Sequence, residues 1–142
     1  MKKQPFDIKE NAIIPTEQLV QLYSDVEWSA YTKNKEKLAL ALKNSLYHLS
    51  VWNDRELIAL IRTVGDGASI LYIQDILVKE EYQRQGIGSM LLQRVLKKYE
   101  NIRQIVLMTD NTDKTKAYYR KNGMQDIQKL EGVCFVKFNM EA

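Results

Sequence analysis

Cysteine and histidine are nearly absent: Cys134 and His48 are the only ones in 142 residues. A single cysteine excludes an internal disulfide and any cysteine-rich metal site, and a single histidine excludes a multi-histidine site, so no metal is expected. Long apolar runs are missing too. None approaches the ~20 residues of a membrane-spanning helix. The opening MKKQPFDIKE has two lysines with no apolar core behind them, unlike a signal peptide. The expectation is a cytoplasmic protein with no membrane partner. A net charge of +3 is too small to point to nucleic acid. Repeats, linkers and low-complexity tracts are also lacking. Cys134 reads as a small core residue. His48 reads as a satisfied strand residue, with a base as the alternative.

What is present fits one domain spanning residues 1–142. A chain of that length buries roughly 70% of its unfolded surface and needs no covalent staple. Its 45% hydrophobic and 27% charged residues are ordinary for a globular protein. Charge is uneven along the chain. KTKAYYRK, Lys114 to Lys121, holds four basic residues and no acid, and QRVLKKY adds Arg94, Lys97 and Lys98. These are either solvated helix faces or a local bias toward an anionic ligand.

Periodicity gives the elements. FDIKENAI is a candidate first strand. TEQLVQLYSDV follows Pro15 with Leu19, Leu22 and Tyr23 at helical spacing. EWSAYTKN reads as a loop carrying Trp28 and Tyr31, and KEKLALALKNS as a second helix. LYHLSVWND, ELIALIRTVGDG and ASILYIQDILV alternate and are rich in strand formers, so Leu46 to Val78 reads as an antiparallel meander of three strands. Then Leu91, Leu92, Val95, Leu96 and Tyr99 share a helix face. QIVLMT is a buried-strand run. Thr112 or Asp113 caps a further helix ending at Asn122-Gly123, and CFVKFNM is a final strand with an apolar edge.

Among only six glycines, Gly86 and Gly88 stand one residue apart where a strand gives way to a helix. Unpaired amides and the helix dipole make such a start a phosphate cradle, and glycine lets a phosphate approach the main chain. The plain alternative is a turn. A P-loop would need lysine after Gly88, where Ser89 stands. A dinucleotide fold would need a third glycine where Leu91 stands, although Asp110 lies at a tempting distance downstream.

QRQGIG, Gln83 to Gly88, matches the Q/R-x-x-G-x-G/A pattern, and the chain resembles the GCN5-related N-acetyltransferase (GNAT) family. YIQDILVKEEYQRQGIGSMLL is similar to that family's fourth strand, pyrophosphate loop and third helix. LMTDNTDKTKAYYRKNGM is similar to its fifth strand and fourth helix. The resemblance is sharp over Leu71 to Met124. The fold it implies is α+β in three layers: a mixed, mostly antiparallel central sheet with splayed fourth and fifth strands, flanked by about four helices.

The activity it implies is transfer of an acetyl group from acetyl-coenzyme A, the co-substrate, to an amine of a small molecule or protein. Main-chain groups of Ile76, Leu77 and Val78 would bind the pantetheine arm like an added strand. An N–H near Leu77 would polarise the thioester carbonyl. Backbone donors from Gln83, Arg84, Gln85, Gly86, Ile87, Gly88 and Ser89 would hold the pyrophosphate. Asn111, Lys114 and Lys121 are further cofactor candidates, and Tyr119 matches the family's general acid. A homodimer through the C-terminal strands is a family habit.

The acceptor side departs from the family's best-known pattern. Alternation places Tyr72 and Gln74 on one face with Ile76, facing the pocket, and Asp75 on the other, where it would anchor neighbouring backbone. Neither Tyr72 nor Gln74 is a good base. Asp66, Glu27 and a water relay ordered by Gln74 and Tyr72 are the alternatives. Trp28 and Tyr31 are candidates to wall a pocket for an amine, or to cap the core. Arg62 would bind a carboxylate or pair with an acid. Two other classes stay open beside the enzyme: a coenzyme A-binding sensor or interaction module, and a nucleotide-dependent oxidoreductase.

Overall fold

Strand-forming and helix-forming segments alternate as their periodicities dictate in this computed structural model, which describes residues 6–139. The chain divides into two units, one up to Met108 and the other from Thr109. The first holds β1 (Asp7–Glu10), α1 (Thr16–Asp25), α2 (Ser29–Thr32), α3 (Lys35–Lys43), β2 (Tyr47–Asn53), β3 (Glu56–Gly65), β4 (Ile70–Val78), α4 (Ile87–Lys98) and β5 (Gln104–Leu107). The five strands form one sheet in sequence order. Pairing is antiparallel from β1 to β4 and parallel between β4 and β5. A parallel neighbour requires a crossover, and α4 supplies it.

The segment read as a loop at Trp28 and Tyr31 contains a single helical turn, α2. Short helices are held by caps and packing rather than length. Asn34 caps α3 by accepting from the Lys37 amide at 3.1 Å. Leu19, Leu22 and Tyr23 of α1 and Leu38 and Leu42 of α3 pack with Leu57, Leu60 and Leu77 of the sheet. On α4, Ile87, Leu91, Leu92 and Val95 are buried and stand outside that cluster, while the helix packs on β3 and β4. The sheet is thus a middle layer between α1–α3 and α4. This is the expected α+β sandwich with a mixed, mostly antiparallel sheet.

Two bulges distort the ladder. One lies between β2 and β3. The other decides the site. Arg62 pairs with Asp75, but the next β3 residue, Thr63, pairs with Ile73, so Gln74 is an extra residue in β4. The β4–β5 pairing covers only Ile70 to Ile73 of β4, and the strand runs on alone on that side to Val78. This is the expected splay.

In the second unit, α5 (Asp113–Lys121) begins at Thr112, whose hydroxyl accepts from the Thr115 amide at 3.2 Å. It ends before Gly123, whose φ of 93° suits glycine alone. A 3₁₀ turn follows at Ile127–Leu130. The expected final strand is not formed: Cys134 to Asn139 pair with no strand among the described residues, and Met140 lies outside them. Val133, Phe135 and Phe138 are exposed, Phe135 at 91%, and Cys134 is exposed rather than in the core. Apolar alternation reports strand propensity, whereas a strand needs a partner edge.

Candidate functional site

The free edge of β4 is the first component of the site. The Lys79 amide donates to the Ile58 carbonyl at 2.9 Å. In an antiparallel ladder the bonded residues alternate, so Leu77, opposite Leu60, also turns its main-chain groups to β3. Those of Ile76 and Val78 therefore turn to the edge that β5 leaves open. The Leu77 amide is given to the sheet and its side chain to the core, so the main-chain amides nearest it on the open edge are those of Ile76 and Val78.

A clamp fixes the segment between β4 and α4. Lys79 is buried and its ammonium meets Glu56 at 2.8 Å. Tyr82 donates to the same carboxylate at 3.2 Å and accepts from Asn53 at 2.9 Å. Asp25 at the end of α1 accepts from the Glu80 amide at 2.7 Å. Gln83, first residue of QRQGIG, donates through Nε2 to the Val78 carbonyl at 2.8 Å. Exposed residues Arg84, Gln85 and Gly86 then lead to α4. Arg84 and Gly86 are both left-handed, at φ of 65° and 82°. A left-handed residue directly before right-handed ones, as Gly86 is before Ile87, turns successive amides inward, the geometry of an anion-binding nest. Gly86 is the N-cap of α4 and no side chain caps that end. The start of α4 at Ile87 and Gly88 thus has no capping side chain and carries the positive end of the helix dipole.

The third component lies on the α1–α3 face. Paired residues on neighbouring strands share a face, so Asp75 points with Arg62 and Leu77 toward α1–α3, and Ile76 points with Ile61 toward α4. Tyr72 pairs with Val64 and lies on the same face as Asp75. The simple alternation that grouped Tyr72, Gln74 and Ile76 against Asp75 fails because the bulge inserts one residue and reverses the facing beyond it. Adjacent residues Gln74 and Asp75 both reach Tyr31. Tyr31 donates to Asp75 Oδ1 at 3.0 Å, and Gln74 Nε2 donates to the Tyr31 hydroxyl at 2.9 Å.

Asp75 holds side chains rather than backbone. Its Oδ2 accepts from Tyr23 at 2.8 Å and from Arg62 Nε at 2.9 Å. Burial pushes the Tyr23 hydroxyl far above the usual phenol range, and the Asp75 charge adds to this. Tyr31 is raised for the same two reasons, burial first. Burial opposes the Arg62 charge, yet Asp75 and Tyr23 together outweigh it and the guanidinium is held above its ordinary value. Arg62 is thereby spent on an acid. Trp28 stacks on Tyr31 with ring centroids 6.0 Å apart and stays 37% exposed.

Asp66 is a poor base. Its carboxylate accepts from Ser69 and from the amides of Ala68, Ser69 and Ile70, which hold it well below the usual carboxylate range. His48 is buried and its Nδ1 has no partner among the described residues, so it is not the satisfied strand residue expected. In the second unit, Tyr119 is half-buried against Tyr118, ring centroids 5.0 Å apart. Burial raises its hydroxyl above the ordinary phenol value, and Tyr118 adds to this. Asn111 and Lys114 are exposed there.

A family model described as the acetyltransferase (GNAT) family matches residues 14–124. The chain belongs to the GNAT acetyltransferase family. It is 33% identical to SP0256, a GNAT-family acetyltransferase of Streptococcus pneumoniae TIGR4. That solved structure superposes with a TM-score of 0.82 over 94% of this chain and 98% of that one. FG08082 of Gibberella zeae, named as an acetyltransferase, is 26% identical over 122 residues, which are 84% of this chain and 66% of that protein. The protein ycf52 of Gracilaria tenuistipitata var. liui, named as an N-acetyltransferase, is 27% identical over 106 residues, 70% and 57% of the two chains. This GNAT chain therefore spans two thirds or less of the length of these two curated relatives.

For a GNAT chain the first unit brings together Trp28, Tyr31 and Gln74. Tyr72 shares their face, whereas the Ile76 side chain faces α4 and only its main chain lies on the open edge that leads to the glycine turn. What sequence reasoning missed is the Asp75 cluster. Its signal was an acid inside an apolar strand run with an arginine in the preceding strand.

Proposed function

We propose that this chain transfers an acetyl group from acetyl-coenzyme A to a primary amine of a small molecule or protein by direct attack, working as one domain over residues 1–142. The observation that carries this reading is the open edge of β4 running into an uncapped helix start through left-handed Arg84 and Gly86. An extended arm ending in a pyrophosphate needs both features, in that order along the chain. Coenzyme A supplies the acetyl group as a thioester.

The residues divide the work. Ile76 and Val78 offer main-chain groups to the pantetheine arm, and the Ile76 amide polarises the thioester carbonyl. Gln83 positions the turn, and the amides from Arg84 to Ser89 hold the pyrophosphate. Lys114 and Asn111 are the further cofactor residues that the family resemblance implies. The nitrogen lone pair attacks the carbonyl carbon, the C–S bond breaks, and the sulfur leaves with the electron pair. Tyr119 gives that sulfur a proton. Thiol and phenol reference values lie within about two units, so the transfer carries no large penalty. The raised Tyr119 hydroxyl keeps its proton at neutral pH, as an acid must. A free amine with a value near ~10.4 is mostly protonated at neutral pH. One proton leaves before attack through water ordered by Tyr72 and Gln74, and the second, lost from the nitrogen as the amide forms, passes through solvent to restore the Tyr119 hydroxyl.

Tyr119→Phe tests the acid. Turnover should fall about 100-fold, within the range for a positioned acid, with the Kd for acetyl-coenzyme A unchanged in calorimetric titration. Unchanged turnover would remove Tyr119 from the mechanism.

A further inference from the structure

The Asp75 cluster does more than fill the core, because its hydrogen bonds have a direction. A carboxylate paired to Arg62 accepts and does not donate. Tyr31 must therefore spend its single proton on Asp75 Oδ1. The Tyr31 oxygen is then an acceptor only, and the Gln74 group facing it must be the NH₂. That leaves the Gln74 carbonyl Oε1 turned away from Tyr31. The orientation of this amide follows from the chain of donors and acceptors alone. Gln74 is exposed, and it is the inserted bulge residue two positions before Ile76. Beside it, Trp28 stacks on Tyr31 and keeps a partly open ring.

We infer that the chain Arg62–Asp75–Tyr31–Gln74 is an orienting device that aims Gln74 Oε1 at an N–H of the acceptor, a primary amine carried on an aromatic or apolar body that packs against Trp28. This deepens the acetyl-transfer reading and rests on it. Gln74 is a positioning residue: it takes no proton, and its carbonyl fixes the rotation of the amine so that the lone pair faces the thioester. Such alignment is worth rate because a misdirected lone pair is unreactive even at close range. The bulge is what makes it possible. In an unbroken strand, neighbours Gln74 and Asp75 would face opposite sides of the sheet, and Tyr31 could not bridge them.

The test is steady-state kinetics of thiol release with acetyl-coenzyme A and the probes benzylamine and phenethylamine. Gln74→Leu alters an exposed side chain, so the fold should persist. It should raise the amine KM or lower kcat/KM for the amine about tenfold, the worth of one hydrogen bond to an oriented group. The KM for acetyl-coenzyme A should not move. Tyr31→Phe keeps the ring against Trp28 but frees the Gln74 amide to rotate, and it should shift the same parameter. Because both act through one carbonyl, the double variant should lose no more than Gln74→Leu alone. An unaltered amine kcat/KM in Gln74→Leu would overturn the inference, as would losses that multiply in the double variant. A wild-type protein that binds coenzyme A yet acetylates no amine would overturn the transfer reading, and this inference with it.

Discussion

Asp75 and Arg62 have side chains 1% and 7% exposed and meet at 2.9 Å inside the α1–α3 face. Removing one partner of such a pair strands the other charge in the core. Asp75→Asn should therefore destabilise the fold by about 3–5 kcal/mol in urea denaturation. His48 makes a pH-dependent prediction. It pairs across the ladder with Arg62, and burial first, then the guanidinium, lowers its value below 6.5. Between the lowered folded value and 6.5 the unfolded chain binds a proton that the folded chain refuses. Stability is thus at its plateau above 6.5 and falls as the pH drops through that window. His48→Leu should flatten the dependence of the melting temperature between pH ~5 and ~6.5, where the ordinary histidine titration lies. An equally steep slope in that variant would assign the loss to other groups. Asp66 acts elsewhere on the scale: its lowered value contributes above 3.8 and is lost only in stronger acid.

At the scale of elements, the turn into α4 and the bulge in β4 carry the account. A Cβ on Gly86 would meet no atom within 4 Å, so space does not demand glycine there. Its φ of 82° does. Gly86→Ala should cost about 1–2 kcal/mol of stability from the left-handed penalty alone and weaken coenzyme A binding as the helix start relaxes. Calorimetric titration beside denaturation would separate the two, and unchanged affinity would detach the turn from the cofactor. QRQGIG was legible because a left-handed turn restricts which residues stand there. The bulge was not legible. The adjacent polar pair Gln74 and Asp75 interrupts the apolar alternation of Leu71 to Val78, but the extra residue is defined only relative to β3, whose Arg62 and Thr63 pair with Asp75 and Ile73. One inserted residue was enough to move Asp75 to the face of Gln74 and Ile76 to the face of α4. The direction of the Leu77 main-chain groups was hidden for a related reason: ladder phase is set by the partner strand.

For the whole molecule, the meander from β2 to β4, the α4 crossover and β5 follow directly from the change of period from two to 3.6 that the sequence displays. The stretch from Cys134 to Asn139 has the same strand composition and forms no ladder among the described residues. Composition can favour an extended chain without naming the edge it joins. Among the described residues no helix is long and apolar enough to cross a membrane, and no group of three or more acidic, histidine or cysteine side chains could hold a metal. A ligand that binds only the folded chain stabilises it by about 2.7 kcal/mol at a hundred times its Kd. Coenzyme A should therefore raise the melting temperature and NAD should not. A shift with NAD alone would favour an oxidoreductase. Central to the account is acetyl transfer to an amine, and the most direct measurement is mass spectrometry of a primary-amine panel incubated with the protein and acetyl-coenzyme A at neutral pH. The account predicts an N-acetylated product, formed in step with free thiol. Coenzyme A binding with no acetylated amine across the panel would contradict it.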